Sequence, residues 1–366
     1  MKLSLRIRLL ACLAMVLLNA VALAEEDKIL NIYNWVDYIA PDTISNFEEE
    51  FGVKVNYDLY DSTEVVEAKL LAGRTGYDVI IQSSAYAARL IPIGIYMELD
   101  KDKLPLMSNL DPWVMQKMEI FDKGNLHGIP YMWGSTGYAY NVDMVRERMP
   151  DAPLDSGAML FDPEVVAKFA DCGVSLVNEP TDVIPMVLLY LGLDPNSMEP
   201  EDLARAEAQL KSVRPYIRYF SSAKMLNDLP NGEICVGMSW SGDYATAMNR
   251  AREAGVDIEL AYTAPVEGSM LWIDSVFITS ESKQSDLAHQ FINYLLRPEV
   301  MAEITNHTNY ANANIAATPF VLPRIANNPI MYPSASERSR FRVGFIFGPK
   351  DERRRTRSWS RIKTGL

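Results

Sequence analysis

The largely apolar run Ile29 to Tyr33 reads as a strand, and apolar and polar positions alternate with period two over Val53 to Tyr57, predicting a second. Between them Ile44, Phe47 and Phe51 recur at helical spacing, predicting a helix over 41–51 that Gly52 stops. Asp61 reads as the N-cap of a second helix running to Ala72 before Gly73, and Asp78 to Gln82 reads as a strand buried on both faces. The result is a βαβαβ run, whose ligand sites lie beyond the carboxyl ends of the strands. Trp35 and Asp37 follow the first of those ends, and Ser83 with Ser84 follows the third.

Farther along, an alternating aromatic strand covers Gly134 to Asn141, helices centre on 183–191 and 201–213, and a strand from Ile234 to Met238 leads to Trp240 and Asp243. A return strand is expected near Ile258 to Pro265, ahead of Trp272 and Asp274. The chain is longer than the ~250–300 residues at which single cores stop growing, so two lobes are expected. No Pro/Gly/Ser linker separates them, which favours lobes joined by several crossing strands. The expected division puts 25–136 and 260–305 in lobe 1 and 137–259 and 306–366 in lobe 2. Gly134 and Gly137 stand at one crossing as candidate hinge positions.

The first 24 residues belong to neither lobe. Lys2, Arg6 and Arg8 precede a nearly unbroken apolar run from Leu9 to Leu23, and Ala22-Leu23-Ala24 is an A-x-A site directly before Glu25. This predicts a secretory signal cleaved after Ala24; the apolar run is shorter than the ~20 residues that span a bilayer. The leader holds three of the 35 basic residues and none of the 48 acids, so the chain beyond it is net −16, against −13 for the whole. That balance argues against nucleic acid as a partner and favours cations. Two cysteines remain beyond the leader, Cys172 and Cys235; in an oxidising compartment an even pair suits a disulfide, with two buried thiols as the alternative.

Three of the six tryptophans have an aspartate two or three positions later: Trp35/Asp37, Trp240/Asp243 and Trp272/Asp274. A buried organic cation needs both groups, a carboxylate to accept its N–H donors and an indole face to cover its methylenes and attract its charge. Residues i and i+2 on a strand share a face, as do i and i+3 on a helix, so each pair can converge on one ligand. Chance alone would supply about one or two such pairs, so their placement matters more than their number. Two fall in the expected first lobe and one in the second, where a cleft would unite them.

The segments Asn31 to Ile39, Gly76 to Ile80, Pro130 to Gly137, Asn231 to Gly237, Tyr294 to Val300 and Tyr310 to Asn314 together resemble the periplasmic polyamine-binding proteins of ABC importers. The resemblance implies an α/β, two-lobed periplasmic-binding-protein fold of type II, with the ligand in the interlobe cleft and no cofactor or metal. It implies a monomer that takes a polyamine and meets an inner-membrane permease with its ATPase. Its aromatic box would be Trp35, Tyr38, Trp240, Trp272 and Tyr310, and its amine-binding acids Asp37, Asp182, Asp243 and Asp274. Ser83 and Ser222 would be polar contacts, and Cys172 and Cys235 match the family's disulfide. Trp272 replaces a common phenylalanine, Asp182 replaces a longer glutamate, and Glu179 adds an acid nearby. A third amine would need another acceptor and a longer ligand more cover, so the expectation leans to spermidine over putrescine, with agmatine, a quaternary ammonium or a polyamine-sensing role as alternatives.

Hydrolytic chemistry finds little support. Ser221 to Lys224 and Lys363 to Gly365 mimic two elements of serine penicillin-recognising enzymes, but the S-D-N element between them is missing. His127, His289 and His307 lack the i, i+4 spacing of a zinc helix. No catalytic residue is expected, and the chain reads as a binding protein.

Overall fold

The computed structural model describes residues 28–60, 62–345 and 347–365. The leader and its cleavage site lie outside the described residues, as does Asp61. The chain opens with the expected run: β1 (Ile29–Trp35), α1 (Thr43–Phe51), β2 (Lys54–Tyr60), α2 (Thr63–Ala72) and β3 (Val79–Ser83), with β2, β1 and β3 side by side and parallel. Gly52 ends α1 in the left-handed conformation, φ 62°, which glycine adopts without a Cβ clash. The cap of α2 is Ser62, not Asp61: its hydroxyl accepts from Val65 N at 3.4 Å.

The middle of the chain supplies β4 (Gly128–Asn141), β5 (Val174–Leu176), α3 (Pro180–Tyr190), α4 (Pro200–Val213), β6 (Ile217–Phe220), β7 (Val236–Trp240), α5 (Ser241–Glu253) and β8 (Leu260–Thr263). The last part supplies β9 (Ser269–Ile278), α6 (Ser285–Leu295), α7 (Pro298–Thr308), β10 (Ala311–Asn312), β11 (Phe341–Val343) and α8 (Pro349–Thr364). The strands hydrogen-bond in the order β2-β1-β3-β9-β4-β7-β5-β6, with β8 and β10 on β4 and β11 on β9.

Strand β4 is buried along its whole length and changes neighbours in its middle. One edge pairs with β9 from Gly128 to Thr136 and with β8 from Tyr138 to Asn141. The other edge pairs with β10 at Met132 and Trp133 and with β7 from Thr136 to Tyr140. Its first half lies in a core with Leu30, Phe47, Ile80, Val276 and Phe291, and its second half in a core with Phe161, Phe169, Val187, Leu210 and Val236. The glycines at this changeover answer a different need from the expected hinge freedom. A Cβ on Gly134 would meet Trp272 Cζ2 at 2.3 Å, and one on Gly137 would meet the Thr263 carbonyl at 2.1 Å. Close approach selects glycine there.

Two segments pack differently from the expected division. Leu260 and Tyr262 of β8 group with Ala139, Met225 and Ala247, so β9 is the strand that crosses back, from Met270 in the second core to Leu271 and Val276 in the first. Residues 306–366 divide: Ala311, Ile325, Met331 and Phe341 join the first core, whereas Trp359 and Ile362 of α8 join the second. Pairing of β10 with the first half of β4 and of β11 with β9 carries the intervening chain onto the first core. Cys172 and Cys235 are disulfide-bonded with Cα atoms 5.6 Å apart, tying the approach to β5 to the start of β7.

Candidate functional site

Register on β4 and β9 sets the site. Asp274 lies opposite Met132 and Ser83, Trp272 opposite Gly134, and Trp240 opposite Thr136. Trp272 and Asp274 are two apart on β9 and share a face. Trp240 is the last residue of β7, and Asp243 falls in the first turn of α5. A carboxylate there lies near the positive end of the helix dipole.

Each of three aspartates is held by a side chain from another element. Tyr38 Oη donates to Asp274 Oδ2 at 2.9 Å, and Tyr131 Oη in turn donates to the Tyr38 carbonyl at 2.8 Å. Tyr310 Oη donates to Asp243 Oδ1. Thr136 Oγ1 at 2.6 Å and Trp240 Nε1 at 3.3 Å both donate to Asp182 Oδ1. The Tyr310 ring lies edge-on to Tyr38 and to Trp272, with centroids 5.5 and 5.3 Å apart. A Cβ on Gly242 would lie 2.2 Å from Tyr310 Cδ1, so this glycine is the floor on which the ring rests. Trp240 packs against both large cores.

Charge is the unresolved quantity in this wall. Among the described residues none of Asp182, Asp243 and Asp274 forms an ion pair, although Arg250 exerts some attraction on Asp243. Desolvation pushes Asp274 up to about 7, against the donated bond from Tyr38, and nearby Asp182 adds to the rise. Desolvation likewise pushes Asp243 up to about 6, opposed by Tyr310. Asp182 is raised by burial, opposed by its bonds from Thr136 and Trp240. Tyr38 and Tyr310 are held well above the usual phenol range, first by burial and then by the neighbouring carboxylates, so both stay protonated donors near neutrality.

The remaining expected residues stand apart from this network. Trp35 stacks at a tilt on Tyr60, with centroids 4.4 Å apart, and its buried Nε1, like that of Trp272, has no acceptor among the described residues. Asp37 is exposed in the left-handed conformation, φ 55°, and makes no hydrogen bond or ion pair among the described residues. Ser83 places its backbone beside Asp274. Ser222 accepts from Asn178 N at 3.2 Å and so braces the loop after β5. Glu179 occupies the N-cap position of α3, its carbonyl accepting from Asp182 N at 3.0 Å. Sequence reasoning missed Thr136, took Gly134 only as a hinge position and missed Gly242; the three orient an acid and seat two rings. The alternation of β4, which puts 132, 134 and 136 on one face, was the available signal for the first two.

The wall therefore combines carboxylate acceptors and aromatic faces, with no cation ion-paired to its aspartates among the described residues. Such a surface can take an organic cation, whose N–H donors meet carboxylates while its methylenes lie on rings. Among the described residues no three His, Cys, Asp or Glu side chains come together as a metal site.

The family model for bacterial extracellular solute-binding proteins matches residues 42–333. The chain is 45% identical over 354 residues to the putrescine-binding periplasmic protein PotF of Escherichia coli, covering 96% of each chain. It is 45% identical over 345 residues to the putrescine-binding periplasmic protein SpuD of Pseudomonas aeruginosa, covering 94% of each. A spermidine/putrescine-binding periplasmic protein of Escherichia coli is 34% identical over 328 residues, 89% of each chain. Among solved structures, the spermidine/putrescine ABC transporter substrate-binding protein PotD of Streptococcus pneumoniae superposes with TM-score 0.78 at 26% identity, over 92% of this chain and 99% of that one. These are binding proteins of transport systems, not enzymes, and the two-lobed fold is theirs.

Proposed function

Because this chain belongs to the family of bacterial extracellular solute-binding proteins, we propose that it is the periplasmic receptor of a polyamine importer, binding a putrescine-type diamine between its lobes. The observation that carries this reading is the set of three desolvated carboxylates, Asp182, Asp243 and Asp274, with no cationic partner among the described residues and with Tyr38, Trp240, Trp272 and Tyr310 around them. Two ammonium groups would balance two of the three carboxylates. Each ring-stacked ammonium contributes ~0.5–2 kcal/mol and each buried methylene about 0.8 kcal/mol. Micromolar binding needs roughly 8 kcal/mol net. A quaternary ammonium could use the rings but has no N–H for the carboxylates.

The expected lean to spermidine gains no support from the comparisons, since both relatives at 45% identity are named for putrescine. Asp243 and Asp274 flank the Tyr38–Tyr310 ring pair, which suits a ligand with two charged ends. In this reading Trp35, Asp37, Ser83, Glu179 and Ser222 border the cleft, the signal is cleaved after Ala24, and the protein works as a monomer. Delivery to an inner-membrane permease and its ATPase completes the proposed role.

Calorimetric titration of the mature protein with putrescine, spermidine, spermine and agmatine tests it. At least micromolar binding of putrescine is expected, weakened tenfold or more by Asp243→Asn or Trp240→Ala. Unchanged affinity in both variants would sink the site, and a tenfold preference for spermidine would overturn the diamine assignment.

A further inference from the structure

The last helix, α8, carries a charge pattern that neither folding nor ligand binding accounts for. Lys350, Arg353, Arg354, Arg357 and Arg361 line one open furrow of about 480 Å³. Their spacing of three and four residues puts them on one face of the helix. Arg361 Nε pairs with Glu207 at 2.9 Å, and Arg354 donates to the Met198 carbonyl at 3.1 Å and pairs with Asp351 at 3.8 Å. Lys350, Arg353 and Arg357 are exposed and have no hydrogen bond, ion pair or ring contact among the described residues. By contrast Arg355 turns inward, its guanidinium 5.0 Å from the Phe347 ring and 3.7 Å from Glu352, as a structural arginine does.

This row works against the helix that bears it. Like charges at i, i+3 and i, i+4 repel, and Lys350 stands in the first turn, where the helix dipole favours acids. Asp351 and Glu352 in the same turn suit that end and leave Lys350 unexplained. The rest of the molecule is strongly acidic, with the chain beyond the leader at net −16. The face is therefore a positive island, and an external anion would relieve the repulsion within it.

We propose that this face of α8 adsorbs the protein to an anionic phospholipid surface through the headgroup phosphates. Guanidinium forks match phosphate oxygens two at a time. From Lys350 to Arg361 the row extends ~16 Å along a straight helix, which suits a flat array of phosphates. The exposed residues among the cations are Thr356, Ser360 and Thr364, so the face carries no apolar group to insert into the bilayer or to form the core of a protein interface. Adsorption would orient the molecule, with α8 against the lipid and the acidic remainder turned away. At ~0.1 M salt the Debye length is about 10 Å, so contacts persist while repulsion from distant acids is screened.

Vesicle flotation of the mature protein at ~0.1 M salt tests this, with phosphatidylglycerol/phosphatidylethanolamine vesicles against phosphatidylcholine alone. Binding is expected only to the anionic vesicles and is lost near 1 M salt. The triple variant Lys350→Gln/Arg353→Gln/Arg357→Gln is expected to partition roughly a hundredfold less, from about a tenfold or smaller loss per cation. Its melting temperature should be unchanged or higher, since the row repels itself, and its putrescine affinity unchanged, because the three side chains make no hydrogen bond or ion pair among the described residues; those two measurements also separate this proposal from the receptor reading. Equal binding to phosphatidylcholine, no binding to anionic vesicles, or a triple variant that floats like the wild type would overturn it. So would a loss confined to vesicles carrying the importer, which would assign the face to a protein partner.

Discussion

Tyr310 donates its hydroxyl to Asp243, and that bond joins the first core to the start of α5, the helix that continues directly from β7. The phenol is held in place by three contacts of its ring, edge-on to Tyr38 and Trp272 and resting on Gly242. Tyr310→Phe keeps those contacts and removes only the donor. Asp243 then loses the larger of the two influences that oppose its desolvation, and its pKa rises above about 6. Calorimetry should find putrescine binding weakened about tenfold at pH 7, as expected for loss of a ~1.5–3 kcal/mol bond to a charged group, with much of the loss recovered at pH 8.5. A variant indistinguishable from wild type across that range would remove Asp243 from the binding wall.

The buried acids make both stability and binding depend on pH, in opposite senses. Between the ordinary aspartate value near 4 and the folded value of about 7, the folded ligand-free protein keeps a proton on Asp274 that the unfolded chain has released. The stabilisation from this group is therefore full below pH ~4 and lost as pH rises through 7, at most roughly 4 kcal/mol. A bound ammonium favours the ionised carboxylate, so affinity should rise from pH 5 to pH 8. The melting-temperature gap between ligand-bound and ligand-free protein is expected to widen over the same range, and to narrow in Asp274→Asn. A constant gap would contradict the assignment.

Gly134→Ala tests the close approach of β4 to the Trp272 ring. The added methyl would lie 2.3 Å from Cζ2 and 2.7 Å from Ser241 Oγ, with backbone strands on either side. Overpacking of this kind costs ~1–3 kcal/mol. Denaturant unfolding should register that loss, together with weaker polyamine binding because the indole must move. If the glycine instead served chain flexibility, stability would rise through the lower entropy of the unfolded chain.

The disulfide closes a loop across the second core, with 63 residues of sequence separation. Chain-entropy arguments give about 4 kcal/mol for a loop of that length. The double variant Cys172→Ser/Cys235→Ser should lose ~2–4 kcal/mol in urea unfolding and keep its putrescine affinity, since neither sulfur touches the acid wall. Loss of binding with the fold intact would place the loop after β5 among the determinants of the site.

Periodicity alone determined the opening βαβαβ run, because a half-buried strand and an amphipathic helix write their burial into the spacing of apolar residues. The tryptophan–aspartate pairs were legible for the same local reason, and two of the three entered the acid wall where strand register and a helix start deliver them. Trp35 and Asp37 did not join its hydrogen bonds: Asp37 sits outside in a left-handed turn, which local spacing could not reveal. Only the tertiary structure decided that Tyr38, Tyr310 and Thr136 hold the three acids, since those partners are up to 236 positions away in sequence. It also decided that 311–343 packs with the first core, through two short strands whose partners lie far back in the chain. Hydrophobic spacing specifies which face of an element is buried; which neighbour covers that face is settled by strand pairing and desolvation, and both act between residues remote in sequence.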